Sequence, residues 1–330
     1  MINLSSMPKA ELHLHLEGAP RWASVREAHQ RHYGAELPEL PPWYAPNFRF
    51  THFGEFQSLF QRYIHPWLQT PLGYAEIIHD VVDSLVEQNI RYAEINVAAS
   101  LVERHGASLE QVWEILETEI KRAIAQGCVI RIFVGLMRNH GVEEAIAWVR
   151  KTRLIAIVSG FDLQGDEVGW PANKFKPAFD LAREAGKRIK VHAGEMTGPE
   201  SIRIAVEELE IHQIGHGTSA IHDPEVMALL RDRQVTVEMC PTSNERLGYI
   251  SSYSAHPIFA LDAAGIAVTV NSDDPTFFGY TLTDELSRLI KERQASLVDL
   301  KRWTRNAFSQ AILDEPTRRR FIAELENWSL

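Results

Sequence analysis

Eight short apolar runs recur along the chain, and most are followed by a stretch with helical character. The runs are rich in valine and isoleucine, which is typical of parallel strands that are buried on both faces. The predicted strands are Glu11–Leu16, Ile90–Val97, Val129–Leu136, Ile157–Leu163, Arg188–Ala193, Gln213–Gly217, Thr236–Cys240 and Ala267–Asn271. Because a parallel pair of strands needs a crossover connection, the helices between the runs indicate an α/β protein.

Eight strands that alternate with helices predict a closed (β/α)8 barrel of the TIM type. An open doubly wound sheet is the alternative, but no Gly-x-Gly-x-x-Gly string follows the first strand. The predicted helices are Pro71–Gln88, Ser108–Gln126, Val142–Lys151, Asn173–Ala185, Pro199–Leu209, Pro224–Arg233 and His256–Ala263. Since no internal repeat or linker interrupts the pattern, residues 1–330 are expected to form a single domain.

The segment from Glu36 to Pro71 breaks this alternation. It is rich in proline and in aromatic residues, among them Trp43, Phe53 and Phe60. Long connections in compact domains are usually functional, as lids or binding elements. We therefore expect residues 36–71 to be a helical insertion over the barrel mouth. The alternative is that its aromatic residues only pack a helical excursion against the scaffold.

Composition limits the partners of the chain. Its formal net charge is −10 and its pI is about 5.8, and it has no basic run that could neutralise a polyanion such as DNA. No stretch approaches the roughly 20 apolar residues that cross a bilayer, and Met1–Lys9 does not resemble a secretory signal. Cys128 and Cys240 are the only cysteines, so no disulfide framework is implied. We expect a cytoplasmic protein with a small-molecule substrate, without nucleic acid or membrane partners; the oligomeric state stays open.

Histidine and acidic residues cluster where four of the predicted strands end. They are His13 and His15 at the first strand, His192 and Glu195 at the fifth, His216 at the sixth, and Asp273 and Asp274 at the eighth. In a (β/α)8 barrel, the carboxyl ends of the strands converge on one mouth, where the chemistry takes place. Imidazoles together with carboxylate form a ligand set that suits Zn²⁺. The sequence therefore predicts a zinc site at the barrel mouth.

Several strings resemble the adenosine deaminase family of the amidohydrolase superfamily. They are Lys9-Ala-Glu-Leu-His-Leu-His-Leu-Glu-Gly18, Val191-His-Ala-Gly-Glu195, Ile214-Gly-His-Gly217, Cys240-Pro-Thr-Ser-Asn244 and Asn271-Ser-Asp-Asp-Pro275. The similarity runs from about Pro8 to Leu282, in the order of the family's motifs. It implies a distorted (β/α)8 barrel with one zinc ion per subunit and hydrolytic deamination of a purine at C6.

The resemblance also implies a role for each site residue. His13, His15, His192 and Asp273 would be zinc ligands, Glu195 the proton shuttle, and His216 and Asp274 would orient the attacking water. Gly165, in the string after the fourth strand, would let the purine edge approach the backbone; its alternative is a plain turn. Glu17 and Asp274 would also contact the substrate. The remaining histidines are expected at the surface or in packing, with His65 as the exception.

The sugar end of the substrate is less constrained. Adenosine deaminases usually carry Asp where this chain has Glu17, and members that act on free adenine also carry Glu. However, those members typically carry strings like Gly-Leu-Asp-Ser-Ser-Glu at the fourth strand and Asp-His-Gly at the sixth. This chain has Gln164-Gly-Asp-Glu167 and Gly215-His-Gly217 at these places. Adenosine or 2′-deoxyadenosine is therefore the first expectation. Aminodeoxyfutalosine, an adenine nucleoside enlarged at the 5′ position, is the second, with adenine deaminase a further alternative. A catalytically inactive nucleoside-binding or signalling member is the non-enzyme alternative.

Overall fold

The computed structural model describes residues 3–329. Its single sheet has eight strands in the order β1 to β8, and every neighbouring pair is parallel. The strands β1 to β8 are Lys9–His15, Ile90–Val97, Val129–Met137, Val158–Gln164, Arg188–Ala193, Gln213–His216, Thr236–Met239 and Ala267–Val270. All eight predicted strands are present, with ends that differ by no more than two residues.

The sheet closes between its first and last strands. Leu14 and Asp273 form a parallel bridge. The backbone N–H of His15 donates to the carbonyl of Asp273 (3.1 Å), and the N–H of Asp273 donates to the carbonyl of His13 (3.0 Å). These bonds complete a nearly closed barrel with helices between the strands, so the predicted (β/α)8 fold is confirmed. Closure through Asp273 also fixes the backbone of a predicted site residue.

The helices surround the barrel. In chain order, α1 to α15 are Trp22–Tyr33, Phe53–Leu59, Pro71–Glu87, Ala99–Arg104, Leu109–Ala125, Val142–Thr152, Lys176–Glu184, Pro199–Glu207, Pro224–Asp232, Pro241–Arg246, Ile258–Ala263, Pro275–Phe278, Leu282–Arg293, Leu297–Gln310 and Glu315–Asn327. Side chains cap two of these helices at their N-termini: Ser108 Oγ accepts from the N–H of Gln111, and the Asp223 carboxylate accepts from the N–H groups of Glu225 and Val226.

Residues 36–71 contain α2 and several short turns, and they pack against α10 and α12, which follow the last two strands. Trp43 Nε1 donates to the carbonyl of Thr276 (3.1 Å), and the N–H of Phe50 donates to the carbonyl of Arg246 (2.8 Å). Phe56 stacks on Phe278 at 5.2 Å between ring centroids. The segment therefore lies at the carboxyl-terminal face of the barrel, and its aromatic residues pack there as the alternative interpretation expects. Its role as a lid stays a prediction.

Within residues 3–329, no helix combines the length and apolarity needed to cross a membrane.

Candidate metal centre and active site

Four histidines from three strands meet at the carboxyl-terminal end of the barrel. The ring of His13 lies 4.4 Å from that of His192 and 4.7 Å from that of His216, measured between centroids. His15 lies on the same face of β1 as His13, with 5.3 Å between their rings. One nitrogen from each of His13, His15 and His192 lies within 4.8 Å of the others. The convergence predicted from the strand ends is therefore present.

Asp273 completes this cluster from the end of β8. Its Oδ1 lies 3.1 Å from His15 Nε2 and 3.4 Å from His13 Nε2. Burial alone would raise the pKa of Asp273, but the two imidazoles beside its carboxylate hold it well below its ordinary value. The residue adopts a left-handed φ of 64°, a conformation that non-glycine residues rarely take and that concentrates at functional sites.

The cluster fits a divalent metal ion. His13 Nε2 is buried, has no hydrogen-bond partner within residues 3–329, and faces the carboxylate of Asp273. An unpaired buried nitrogen is costly unless a ligand satisfies it. Imidazole nitrogens with one carboxylate are the donors that borderline cations such as zinc prefer. The geometry and the donor chemistry therefore both support a metal centre at the predicted residues.

A buried carboxylate orients each of two histidines. Glu238 Oε2 lies 3.0 Å from His13 Nδ1, and Asp162 Oδ1 lies 3.1 Å from His192 Nδ1. The other ring nitrogen of each histidine is thereby left for a ligand, as in carboxylate–histidine–metal triads. Burial alone would raise the pKa of Asp162, but the adjacent His192 holds it far below its ordinary value. Neither acid was among the predicted site residues, although each is an acidic residue inside a buried strand.

Below the histidine and carboxylate cluster, the barrel interior contains a network of buried ion pairs. Lys190 Nζ lies 3.1 Å from Glu94 Oε2 and 3.0 Å from Glu238 Oε1, and all three side chains are at most 1% exposed. Burial would lower the pKa of Lys190, but the two carboxylates raise it above its ordinary value. Lys190 therefore stays charged and balances the negative charge of Glu238, the acid that contacts His13. No motif identifies Lys190 from sequence, because its role depends on pairing across the barrel.

His216 is held by an amide. Asn244 Nδ2 donates to His216 Nδ1 (3.1 Å), and Asn244 Oδ1 accepts from His256 Nε2 (3.2 Å). With Nδ1 as the acceptor, the proton of neutral His216 lies on Nε2, which is directed toward Glu195. Burial and the nearby His13 lower the pKa of His216 well below its ordinary value, which favours this neutral form. Like Asp273, His216 has a left-handed φ, of 63°.

Two further acids beside the cluster have raised pKa values. Glu195 Oε2 lies 3.5 Å from His216 Nε2. Burial raises the pKa of Glu195 well above its ordinary value, and the charges of Asp273 and Glu167 raise it further. Burial and the Asp273 charge likewise raise the pKa of Asp274. The site thus combines Asp273, whose lowered pKa favours the ionised form, with Glu195 and Asp274, whose raised pKa values favour the protonated form. Such a combination is what acid–base catalysis requires.

The cluster forms the floor of a cavity of about 460 Å³, within the usual range of small-molecule sites. Glu17 lines it while accepting from the N–H of Ala98 (3.0 Å). Gly165 lines it with a φ of 89°, which favours glycine there. With Asp274, which also lines the cavity, all three predicted substrate residues border the same space as the cluster.

The opposite side of the cavity, here called the outer wall, comes from residues 36–71 and α4. It comprises Phe53, Phe56, Gln57, Phe60, Gln61, His65, Leu101, Arg104 and His105. His65 and His105 pack together at 4.6 Å between ring centroids. His65 borders the cavity as expected. His105 and His140, which were expected to be surface or packing residues, also line it, because α4 and the turn after β3 bring them to the mouth.

Comparisons with known proteins identify the family to which the chain belongs. The family model described as Adenosine deaminase matches residues 8–328. An aminodeoxyfutalosine deaminase of Streptomyces avermitilis is 33% identical over 99% of this chain and 92% of its own length. An adenine deaminase of Sinorhizobium medicae is 32% identical over 97% of this chain and 98% of its own. The crystal structure of an adenine deaminase from Arthrobacter aurescens superimposes with a TM-score of 0.89 at 27% identity, covering 98% of this chain and 99% of that one.

These relatives refine the expectation for the substrate. The sequence ranks adenosine first, whereas the relatives are named for the aminodeoxyfutalosine and adenine reactions. The alternatives therefore have better support than the first expectation. The reaction class is common to all of them: hydrolysis of a C–N bond in a cyclic amidine. The chain is such a hydrolase, and it belongs to the adenosine deaminase family.

Proposed function

We propose that this chain removes the 6-amino group of an adenine nucleoside by zinc-dependent hydrolysis, and that the nucleoside carries a substituent at its 5′ position, as in aminodeoxyfutalosine. The observation that carries the proposal is the cavity itself. Its floor holds the histidine and carboxylate cluster, and its outer wall presents aromatic and polar side chains on the far side of the same space. The relative from Streptomyces avermitilis, which matches nearly the whole chain, supports the same substrate.

His13, His15, His192 and Asp273 would hold one zinc ion. Bound zinc lowers the pKa of a water molecule to about 7, so that it can attack at neutral pH. His13 and His192 keep their tautomers through Glu238 and Asp162, which present the second ring nitrogen of each histidine to the metal.

Glu195 would be the general acid. Attack at C6 of a purine disrupts the aromatic ring, and protonation of ring N1 offsets that cost. A buried Glu195 carboxyl group would donate this proton to N1, which keeps it in the product. The attacking water would release two protons as it becomes the C6 carbonyl oxygen: one restores Glu195, and the other leaves with the amino group as ammonia. His216, with its proton on Nε2, and Asp274 would orient the attacking water. Gly165 would leave space for the purine edge beside the backbone.

The outer wall supports a 5′-substituted nucleoside. The carboxylates that line the cavity all belong to its inner half: Glu17, Glu195, Asp273 and Asp274. The outer wall instead combines phenylalanine rings with histidines, glutamines and Arg104. Such a surface suits an apolar or aromatic substituent whose polar atoms are neutral or anionic. Adenine deaminase is the second candidate, favoured by Glu17 and by the Arthrobacter aurescens structure.

A substrate panel tests the proposal. The zinc-loaded protein is incubated with adenine, adenosine and an adenine nucleoside that carries a carboxyaryl group at the 5′ position, and ammonia release is measured. We expect the highest kcat/KM for the substituted nucleoside. Higher kcat/KM for free adenine would support the second candidate instead. Absence of ammonia from all three compounds would contradict the proposed function.

A further inference from the structure

One buried carboxylate holds the turn that follows β5. Glu167, which is 5% exposed, accepts hydrogen bonds from five donors of this turn and of the start of α8. The donors are the N–H groups of Gly194 (2.6 Å), Glu195 (3.2 Å), Met196 (2.9 Å) and Thr197 (3.1 Å), and the hydroxyl of Ser201. Four successive N–H groups that point at one anion resemble the backbone nests that bind anions in other proteins. In this chain the anion is a side chain.

The same turn is held at its carbonyl groups. Arg138 Nη2, fully buried, donates to the carbonyl of His192 (2.6 Å). The carbonyl of Gly194 accepts from the N–H of Ser219 (3.0 Å) and from Thr218 Oγ1 (3.2 Å). The backbone from residue 192 to residue 197 is therefore fixed on both of its hydrogen-bonding sides.

Gly194 allows this tight arrangement. It has a φ of 70°, and a β-carbon there would lie 2.5 Å from both Ile202 Cδ1 and Ser219 Oγ. The turn thus packs directly against α8 and the segment after β6. Glu195 is the next residue, so a displacement of the turn would move its carboxyl group relative to His216.

Glu167 does not border the cavity or take part in the histidine and carboxylate cluster of the described residues. Its hydrogen bonds reach Glu195 through the backbone alone, and its charge also raises the pKa of the Glu195 carboxyl group. Loss of the Glu167 charge should therefore affect the position of Glu195 more than it affects metal retention.

We propose that Glu167 is a positioning residue, which sets the location of the general acid Glu195 by holding the backbone of residues 194–197. This inference rests on the acid role of Glu195 in the proposed function. A neutral amide in place of the carboxylate directs N–H donors at the backbone N–H groups, so the turn loses acceptors and shifts. Displacement by about 1 Å costs on the order of 10²-fold in rate.

The test compares Glu167→Gln with the wild type, using whichever purine of the panel is turned over. We expect kcat to fall by about 10²-fold, KM to change by less than about threefold, and zinc to stay at one ion per chain. Asp166→Asn is the matched control, because the carboxylate of Asp166 accepts only from the N–H of Val168 in its own turn. This control should keep wild-type kcat.

A double-mutant cycle separates positioning from general destabilisation. In a Glu195→Gln background, Glu167→Gln should lower the remaining rate by less than about twofold, because its effect acts through Glu195. If Glu167→Gln lowers the rate as much in the Glu195→Gln background as in the wild-type background, the proposal is overturned. An unchanged kcat in the Glu167→Gln single variant would overturn it as well. If Glu167→Gln does not fold, Ser201→Ala removes one of the five donors and should lower kcat several-fold; wild-type kcat there would overturn the proposal. Lack of turnover by the wild type would instead contradict the proposed function.

Discussion

The carboxylate of Asp274 occupies the space that a side chain at Gly18 would need. A β-carbon on residue 18 would lie 1.7 Å from Asp274 Oδ1. We predict that Gly18→Ala displaces Asp274 and lowers kcat by about 10²-fold, since small misplacements of catalytic groups have effects of that size. Zinc should stay bound, because the three histidine ligands are untouched.

Steady-state kinetics and metal analysis check this prediction. Gly198→Ala is the control, since a β-carbon there meets no heavy atom within 4 Å and the φ of Gly198 is negative. Wild-type kcat in Gly18→Ala would mean that Asp274 has no catalytic role or that the site tolerates its displacement.

Removal of the Asp162 charge should weaken metal binding. Asp162 is hydrogen-bonded to His192 Nδ1 and accepts from Asn96 Nδ2 (2.8 Å). In Asp162→Asn, the imidazole loses the carboxylate that fixes its tautomer and strengthens it as a ligand. We expect the Kd for zinc to rise by about 10- to 100-fold. Competition with a chelator measures this. The exposed Asp232→Asn is the control, and equal affinities for the two variants would exclude the proposed orientation of His192.

We expect Asn244 to affect catalysis because its side chain fixes the tautomer of His216. In Asn244→Asp, the new carboxylate favours a proton on Nδ1, which leaves Nε2 without one. We predict a fall in kcat of about 10²-fold with little change in KM, because the change concerns the group that orients the water and not ground-state binding. Asn327→Asp, at an exposed position, serves as the control. If kcat in Asn244→Asp equals that of the wild type, the assigned tautomer is wrong.

Lys9, at the start of β1, gives a pH-dependent contribution to stability. Its Nζ is buried and donates to the carbonyls of Leu4 (2.7 Å) and Met7 (2.8 Å). Burial, with a smaller contribution from Arg91, lowers its pKa from 10.5 to about 7. Between these values the unfolded chain binds a proton at Lys9 that the folded chain lacks, so the free energy of unfolding increases with pH.

Comparison with Lys9→Met isolates this effect. The free energy of unfolding of the wild type, relative to that of the variant, should rise from pH 7 to pH 9.5. Denaturant titrations at several pH values measure the difference. A difference that stays constant or falls over this range would contradict the lowered pKa of Lys9.

Most of the fold follows from the sequence because buried parallel strands have a simple signature. All eight apolar runs became strands. The short helices α4, α10 and α12 were missed, since each begins soon after a strand end and has too few residues to display a helical period. The strand ends of β6, β7 and β8 were predicted one residue too long, where the chain turns toward the site at His216, Cys240 and Asn271.

The site was predictable only in part. Residues such as His13 and Glu195 lie in motifs at strand ends, where local sequence indicates their location. Glu238, Lys190 and Asn244 act through partners that are distant in sequence, and only closure of the barrel brings them together. The substrate's 5′ end depends on side chains from α2 and α4, whose relative positions no local pattern encodes.

The central claim is that His13, His15, His192 and Asp273 hold one zinc ion that deamination requires. The direct test is to remove metal from the protein, add zinc in measured amounts, and record ammonia release from the purine nucleoside that is turned over fastest. We predict that the metal-free protein releases no ammonia, and that activity rises linearly with added zinc until one ion is present per chain. In Asp273→Ala, we predict that neither zinc binding nor activity is recovered. Full activity of the metal-free protein, or a requirement for two ions per chain, would contradict it.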